Sequence, residues 1–222
     1  RRSFYGVLHV NEDDLESEDA HRSLYNGRIL HGVQLIAPGW RREPTTYYSY
    51  DSGVGLALTT LRGGANPIRV ATVGLGTGTI ASYSEAGDYY CFYENNPDVI
   101  EIAREYFSFL DDSPGEIRVV EGDARLSMER QEPQHYDLIA LDAFSSDAIP
   151  AHLLTVEAVE TYLKHLNRGG VLAVHTSNRH LDLVPIVALL AEQYQLKAVT
   201  VESSDAGGVA DSGAEWVLLT RN

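Results

Sequence analysis

The chain has 222 residues, 44% of them apolar, and 17 Lys and Arg against 32 Asp and Glu give a formal charge of −15. That size and apolar share suit one large domain, or a domain with a small appendage, and exclude disorder as the main state. The acidic balance argues against a nucleic-acid partner, which needs clustered Lys and Arg. A single cysteine, Cys91, excludes an internal disulfide framework and multi-cysteine zinc sites. No apolar run reaches the roughly 18 residues needed to span a bilayer, so the expectation is a soluble chain in a reducing, cytoplasmic setting. The start at Arg1-Arg2 rather than Met points to a piece of a longer protein.

The first 45 residues read as a small N-terminal antiparallel β unit. Segments 3–10 and 23–36 are rich in Val, Ile, Leu and Tyr, and Asn26-Gly27 inside the second is a hairpin turn signal. Between them, residues 11–19 hold six acids in nine positions and lack apolar periodicity, which predicts a solvated loop. Residues 46–222 read as a second unit. It opens with a helix over 50–61, ended by Gly63-Gly64. Strands follow over 69–74, 89–94, 117–120, 137–141 and 170–175, with helices over 79–86, 98–110, 155–166 and 183–194. Two more strands, 196–202 and 216–220, have only a Gly/Asp/Ser-rich loop between them and should pair antiparallel. The alternation predicts an α/β fold with a mostly parallel seven-stranded sheet, helices on both faces and one reversed strand near an edge. That pattern resembles the Rossmann-like class I methyltransferase fold.

Ligands of open α/β sheets sit beyond the carboxyl ends of the strands. After the first strand of the sheet, Gly74-Leu75-Gly76-Thr77-Gly78 permits a tight turn and a close backbone approach to a ligand. A dinucleotide fingerprint wants glycine where Thr79 stands, so a nucleoside without a pyrophosphate fits better. The second strand ends in Glu94-Asn95-Asn96-Pro97; an acid there accepts from both ribose hydroxyls, while the asparagines equally suit a helix N-cap. The third ends in Gly122-Asp123-Ala124, where a carboxylate accepts from an adenine amine and the next backbone N–H donates to the ring. The fourth leads to Asp142 and Asp147, two acids suited to hold and deprotonate a cationic amine, with loop capping as the plainer alternative. The eight histidines show no paired ligand spacing, His175 and His180 being five apart, so no metal is expected. Ser145-Ser146 lacks the glycines of a nucleophile elbow and reads as loop, and Trp216 reads as packing.

These residues resemble the spermidine synthase (polyamine aminopropyltransferase) family over nearly the whole chain. The likeness rests on Leu24-Tyr25-Asn26-Gly27-Arg28, Tyr47-Tyr48, the glycine turn after Val73, Tyr93-Glu94-Asn95-Asn96-Pro97, Gly122-Asp123-Ala124 and the run Tyr136 to Asp142. His31-Gly32-Val33-Gln34 followed by Pro44-Thr45-Thr46-Tyr47-Tyr48 is similar to spermidine synthase-like domains fused to bacterial membrane segments. The resemblance implies S-adenosylmethionine or its decarboxylated form as co-substrate, no metal, and 5′-methylthioadenosine as product. It also implies an amine as small-molecule partner, fused inner-membrane segments outside this chain, and a homodimer. Carried over, Glu94 holds the ribose, Asp123 the adenine, and Gly74, Gly76 and Gly78 the methionine-derived chain, with Asn95 and Ala124 also in the cofactor site. Asp142 and Asp147 are catalytic, and Gln34 and Tyr48 line the cleft. Two departures concern the acceptor. The family's compact Asp-Ser-Ser/Thr-Asp motif is stretched here to acids five apart, and its Tyr-His-Glu run is replaced by Tyr48-Ser49-Tyr50-Asp51. Aminopropyl-type transfer and intramolecular cleavage by the ligand's own carboxylate would both release methylthioadenosine. Methyl transfer would give S-adenosylhomocysteine, and a non-catalytic nucleoside sensor on a membrane partner would give no turnover.

Overall fold

The computed structural model describes all residues except 4, 5, 18, 65, 66, 145–148, 179, 180, 206, 209 and 211. Strands β1 (Arg2–Ser3), β2 (Gly6–Asp13), β3 (His21–Asn26) and β4 (Ile29–Leu35) pair antiparallel in chain order. Gly27, at φ +61°, makes the turn between β3 and β4. The solvated loop expected over 11–19 starts only after residue 13. Asn11, Glu12 and Asp13 continue β2 opposite Ser23, Arg22 and His21, because Arg22 places its Nε 2.5 Å from Glu12 Oε1 across the strands. Leu8 and Leu24 on the inner face of this sheet form a small core with Ile102 and Phe107.

The helix expected over 50–61 is α1, Gly53–Gly64. Its start is delayed to Gly53 because Ser52 caps it, accepting the Gly55 N–H with its Oγ at 3.1 Å. Glycine at position 53 lets the helix lie directly on the sheet, since a Cβ there would come within 2.5 Å of Trp216 Cβ.

The large sheet contains β5 (Arg69–Val73), β6 (Tyr89–Glu94), β7 (Glu116–Glu121), β8 (Tyr136–Leu141), β9 (Leu166–His175), β10 (Lys197–Ser203) and β11 (Ala214–Thr220), in the order β10-β11-β9-β8-β5-β6-β7. β11 is antiparallel to both of its neighbours and every other pairing is parallel. This is the Rossmann-like class I methyltransferase arrangement, with the reversed strand between β9 and the edge. Side chains alternate across it as a sheet covered on both faces demands. Tyr90 and Phe92 pack in one core with Val54 and Leu58 of α1, whereas Cys91 and Tyr93 pack in the other with Met128, Val159 and Val187. Each fully buried side chain of this size contributes roughly 1.5–3 kcal/mol relative to exposure.

Helices α2 (Pro97–Tyr106), α3 (Ala124–Glu129), α4 (Val156–His165) and α5 (Val184–Gln193) complete the fold. α2 stops short of the expected residue 110 because Phe107 is already extended, at φ −115° and ψ 152°. The helix expected over 79–86 is a 3-10 turn, Thr79–Tyr83. Among the described residues, no helix is long and apolar enough to cross a membrane. What this topology does for function is local. From β5 the chain proceeds outward through β6 and β7, then returns to β8 on the other side of β5. The carboxyl ends of β5 and β8 therefore border the crevice where such sheets bind ligands.

Candidate active site

A cavity of about 960 Å³ lies at those strand ends, walled on its outer side by Leu24, Ile29, Leu30 and His31 of the small sheet. Two glycines of the turn after β5 line it because nothing larger fits. Gly74 adopts φ +99°, and a Cβ on it would stand 2.5 Å from the Asp142 carbonyl oxygen. Gly76 adopts φ +55°, and its Cβ would stand 2.8 Å from the His31 carbonyl oxygen. The turn is thus pressed between β8 and the N-terminal sheet. Gly78, at φ +86°, packs against Leu110 and supports the turn from behind without lining the cavity.

Glu94 ends β6 and is 9% exposed. Its carboxylate accepts the N–H of Leu75 at 3.0 Å and of Asn96 at 2.8 Å, which ties it to the glycine turn. Burial pushes its pKa up, against the N–H groups of Asn96, Leu75 and Asn95, which pull it down. A carboxylate has about four lone-pair sites, so with the Leu75, Asn96 and Asn95 N–H groups on it at least one is left for a ligand. Asn95 and Asn96 both line the cavity, and Asn96 also caps α2 by accepting the Asp98 N–H at 3.1 Å. Asp123 caps α3 with one oxygen, accepting the Leu126 N–H at 2.8 Å, while its other oxygen lies 2.8 Å from His152 Nε2. Ala124 lies beside it in the wall.

Asp142 ends β8 with its backbone N–H donated to the Val73 carbonyl at 3.0 Å. The Tyr48 hydroxyl donates to its Oδ2, and His175 Nδ1 lies 2.6 Å from its Oδ1. The Asp142 and His175 side chains are each only 6% exposed. Burial first, and then the Asp142 charge, push the Tyr48 phenol well above its ordinary pKa, so it stays a donor. His175 lies flat on Trp216, with ring centroids 4.6 Å apart and planes at 11°. Tyr47 and Phe144 close on the same imidazole at 4.9 and 5.0 Å. His31 Nε2 is buried without a hydrogen-bond partner among the described residues. Burial pushes the His31 pKa down against the pull of Asp142.

The expected site residues are therefore placed unequally. Gly74, Gly76, Glu94, Asn95, Asp123, Ala124 and Asp142 share the cavity wall. Tyr48 stands behind Asp142, and it is Tyr47 that reaches the wall. Gln34 is 1% exposed and away from the wall. It donates to the Arg41 carbonyl at 2.9 Å and to Ser108 Oγ at 2.8 Å, and accepts the Ser108 N–H at 3.0 Å, which makes it a tether between two loops. Asp147, with Ser145 and Ser146, lies outside the described residues. His175, which has no metal-ligand spacing, is a wall residue as well, and its position at the carboxyl end of β9 is the signal that marks it. Among the described residues, no group of three or more His, Cys, Asp or Glu is arranged to hold a metal ion.

No family model matches the chain. It is 35% identical over 142 residues to a polyamine aminopropyltransferase of Vibrio vulnificus, a match covering 61% of this chain and 45% of the relative. It is 30% identical over 159 residues to a probable polyamine aminopropyl transferase of Bifidobacterium longum, covering 69% of this chain and 33% of the relative. The matched region thus spans less than half the length of either curated relative. In fold, the chain superposes on the solved structure of a probable spermidine synthase from Corynebacterium glutamicum with a TM-score of 0.73, at 20% identity, over 98% of this chain and 77% of that one. The chain is similar in sequence to polyamine aminopropyltransferases and carries the fold of a spermidine synthase-like protein.

Proposed function

We propose that this chain binds decarboxylated S-adenosylmethionine and transfers its aminopropyl group to an amine, releasing 5′-methylthioadenosine. The observation that carries this is the placing of Glu94, Asp123 and Asp142 around one cavity with the glycine turn at its centre. Each stands at the tip of its own strand, in the order that ribose, adenine and sulfonium would require. The cradle fits such a ligand: Gly74 and Gly76 leave no room for side chains, and Glu94 keeps at least one lone pair for the ribose.

Charge supports the decarboxylated form. Asp182 and Glu215 join Glu94, Asp123 and Asp142 in the wall, and no Lys or Arg is among its described residues. A ligand with both a sulfonium and an ammonium gains more from five carboxylates than one that also carries a carboxylate of its own. Asp142 would attract the cationic acceptor and hold it beside the sulfonium. The amine nitrogen would then attack the methylene carbon, and the carbon–sulfur bond would break with its electron pair left on sulfur. Holding the partners in line supplies most of the acceleration, since effective molarities for well-oriented reactants reach about 10⁵–10⁸ M. Asp147 is kept in this proposal as a second acid toward the acceptor.

The test is incubation of the protein with each ligand form, with and without putrescine, followed by mass analysis. Amine-dependent methylthioadenosine release, faster from the decarboxylated form, is the expected result. S-adenosylhomocysteine would indicate methyl transfer, amine-independent methylthioadenosine would indicate intramolecular cleavage, and either would overturn the proposal.

A further inference from the structure

We infer that His175 takes the proton that the acceptor amine must lose before it attacks, through Ser177, and that Asp142 positions His175 for this. The assignment rests on the transfer proposed above and adds the route of the proton.

The tautomer follows from the partners. An ionised carboxylate only accepts, so the Nδ1 of His175, 2.6 Å from Asp142 Oδ1, carries the hydrogen. Nε2 is then the bare nitrogen, 3.0 Å from Ser177 Oγ. Ser177 Oγ accepts the Glu215 N–H at 2.7 Å, which leaves its own O–H free to donate to Nε2. The line from Glu215 through Ser177 and His175 to Asp142 is satisfied at every joint. The ring cannot swing out of it, because Trp216 lies under it and Tyr47 and Phe144 flank it. Ser177 and His175 both line the cavity.

His175 Nε2 faces the cavity side through Ser177, whereas Asp142 is already tied to the protein at both oxygens. Both its oxygens already accept, one from Tyr48 and one from His175. In the step we assign, the acceptor ammonium passes a proton to Ser177 Oγ as the serine's own proton passes to His175 Nε2. The resulting imidazolium is paired through Nδ1–H with Asp142. The freed nitrogen lone pair forms the bond to carbon, the carbon–sulfur pair goes to sulfur, and the extra proton on His175 leaves to water. The titratable groups around the ring are Asp142 from β8, Glu215 from β11, and Tyr47 and Tyr48 from the segment before α1, with Asp182 farther along the wall and His31 of β4 in the field of Asp142. Burial, with Asp142 second, holds both phenols neutral. The charged neighbours of the ring are therefore carboxylates.

The experiment is the pH dependence of kcat/KM for methylthioadenosine release by wild type, His175→Gln and Ser177→Ala, with methylthioadenosine binding measured in parallel. Wild type should show an acid limb. His175→Gln should lose that limb and about 10²- to 10⁴-fold in rate, with nucleoside affinity kept. Ser177→Ala should keep the limb at a reduced rate. A His175→Gln enzyme with the limb unchanged overturns the assignment while leaving the transfer reading intact, whereas a wild type that releases nothing from any amine sinks both. If the variants fail to fold, nitrogen NMR of the wild-type imidazole decides: the Nδ1–H tautomer is expected, and the Nε2–H tautomer would overturn the assignment.

Discussion

Replacing Glu94 by Gln isolates the nucleoside half of the site. Glu94 spends acceptor positions on the N–H groups of Leu75 and Asn96, with the Asn95 N–H also acting on it, and what remains is proposed to accept from the ribose. A hydrogen bond to a charged group is worth about 1.5–3 kcal/mol. Glutamine keeps one acceptor oxygen and puts an amide N–H₂ in place of the other, so at least one ligand bond of that class is lost. That corresponds to roughly a 10- to 150-fold weaker Kd for methylthioadenosine. The amide also faces a buried N–H, which should lower stability by about 1–3 kcal/mol, so binding is compared only under conditions where both proteins are folded. The assay is calorimetric titration with methylthioadenosine and with its 2′,3′-dideoxy analogue. The substitution should matter for the first and hardly at all for the second. Equal losses on both ligands, or none on either, would refute the placing of the ribose. Acidity provides a second arm. Because burial raises the Glu94 pKa, the folded protein binds that proton at a higher pH than the unfolded chain does. Its burial therefore costs stability above the folded pKa and is relieved as pH falls through it. Ribose binding should follow the opposite trend, weakening on acidification from above the ordinary glutamate range, and Glu94→Gln should abolish that dependence.

Three further outcomes are expected. Asp142→Asn should lower methylthioadenosine release by about 10²- to 10⁴-fold while calorimetry finds nucleoside affinity nearly unchanged. Gly74→Ala places a Cβ 2.5 Å from the Asp142 carbonyl at φ +99°, so it should cost about 1–3 kcal/mol in urea unfolding and displace Asp142 enough to abolish turnover. Asp88 accepts the N–H groups of Ile68 and Glu85 and both terminal nitrogens of Arg62. Burial pushes its carboxyl up, but Arg62 and those N–H groups outweigh it and hold it below the usual range. Its contribution is thus present above the ordinary aspartate pKa and lost as pH falls through the folded value. Asp88→Asn should cost about 3–5 kcal/mol near neutrality, and the gap to wild type should close in acid.

The centre of the large sheet was legible because β5, β6 and β8 are short, largely apolar runs, the pattern of strands buried on both faces. That Gly74, Gly76, Glu94, Asp123 and Asp142 border one cavity was legible because they follow strand ends, where a short-range rule suffices. Where long-range partners decide, the pattern was silent. Glu12 and Asp13 join a strand because Arg22 and His21 stand opposite them. α3 has six residues, too few to show a helical period, and its cap is the same Asp123 that faces the cavity. Whether Tyr47 or Tyr48 meets the ligand depends on the path of an irregular segment, and the structure gives the wall to Tyr47 and the Asp142 oxygen to Tyr48. Gln34, which the resemblance places in the cleft lining, is consumed by Ser108 and Arg41. His175 was within reach of the strand-end rule, which applies to β9 as it does to β5, β6, β7 and β8.

The central claim is that one carbon chain moves from sulfur to nitrogen in this cavity. The most direct measurement uses decarboxylated S-adenosylmethionine isotopically labelled in its aminopropyl chain, in a single turnover with putrescine and excess protein. If the chain moves this way, methylthioadenosine is unlabelled and the label appears wholly in the amine product. Label retained in the nucleoside product, or an unlabelled amine, would contradict it.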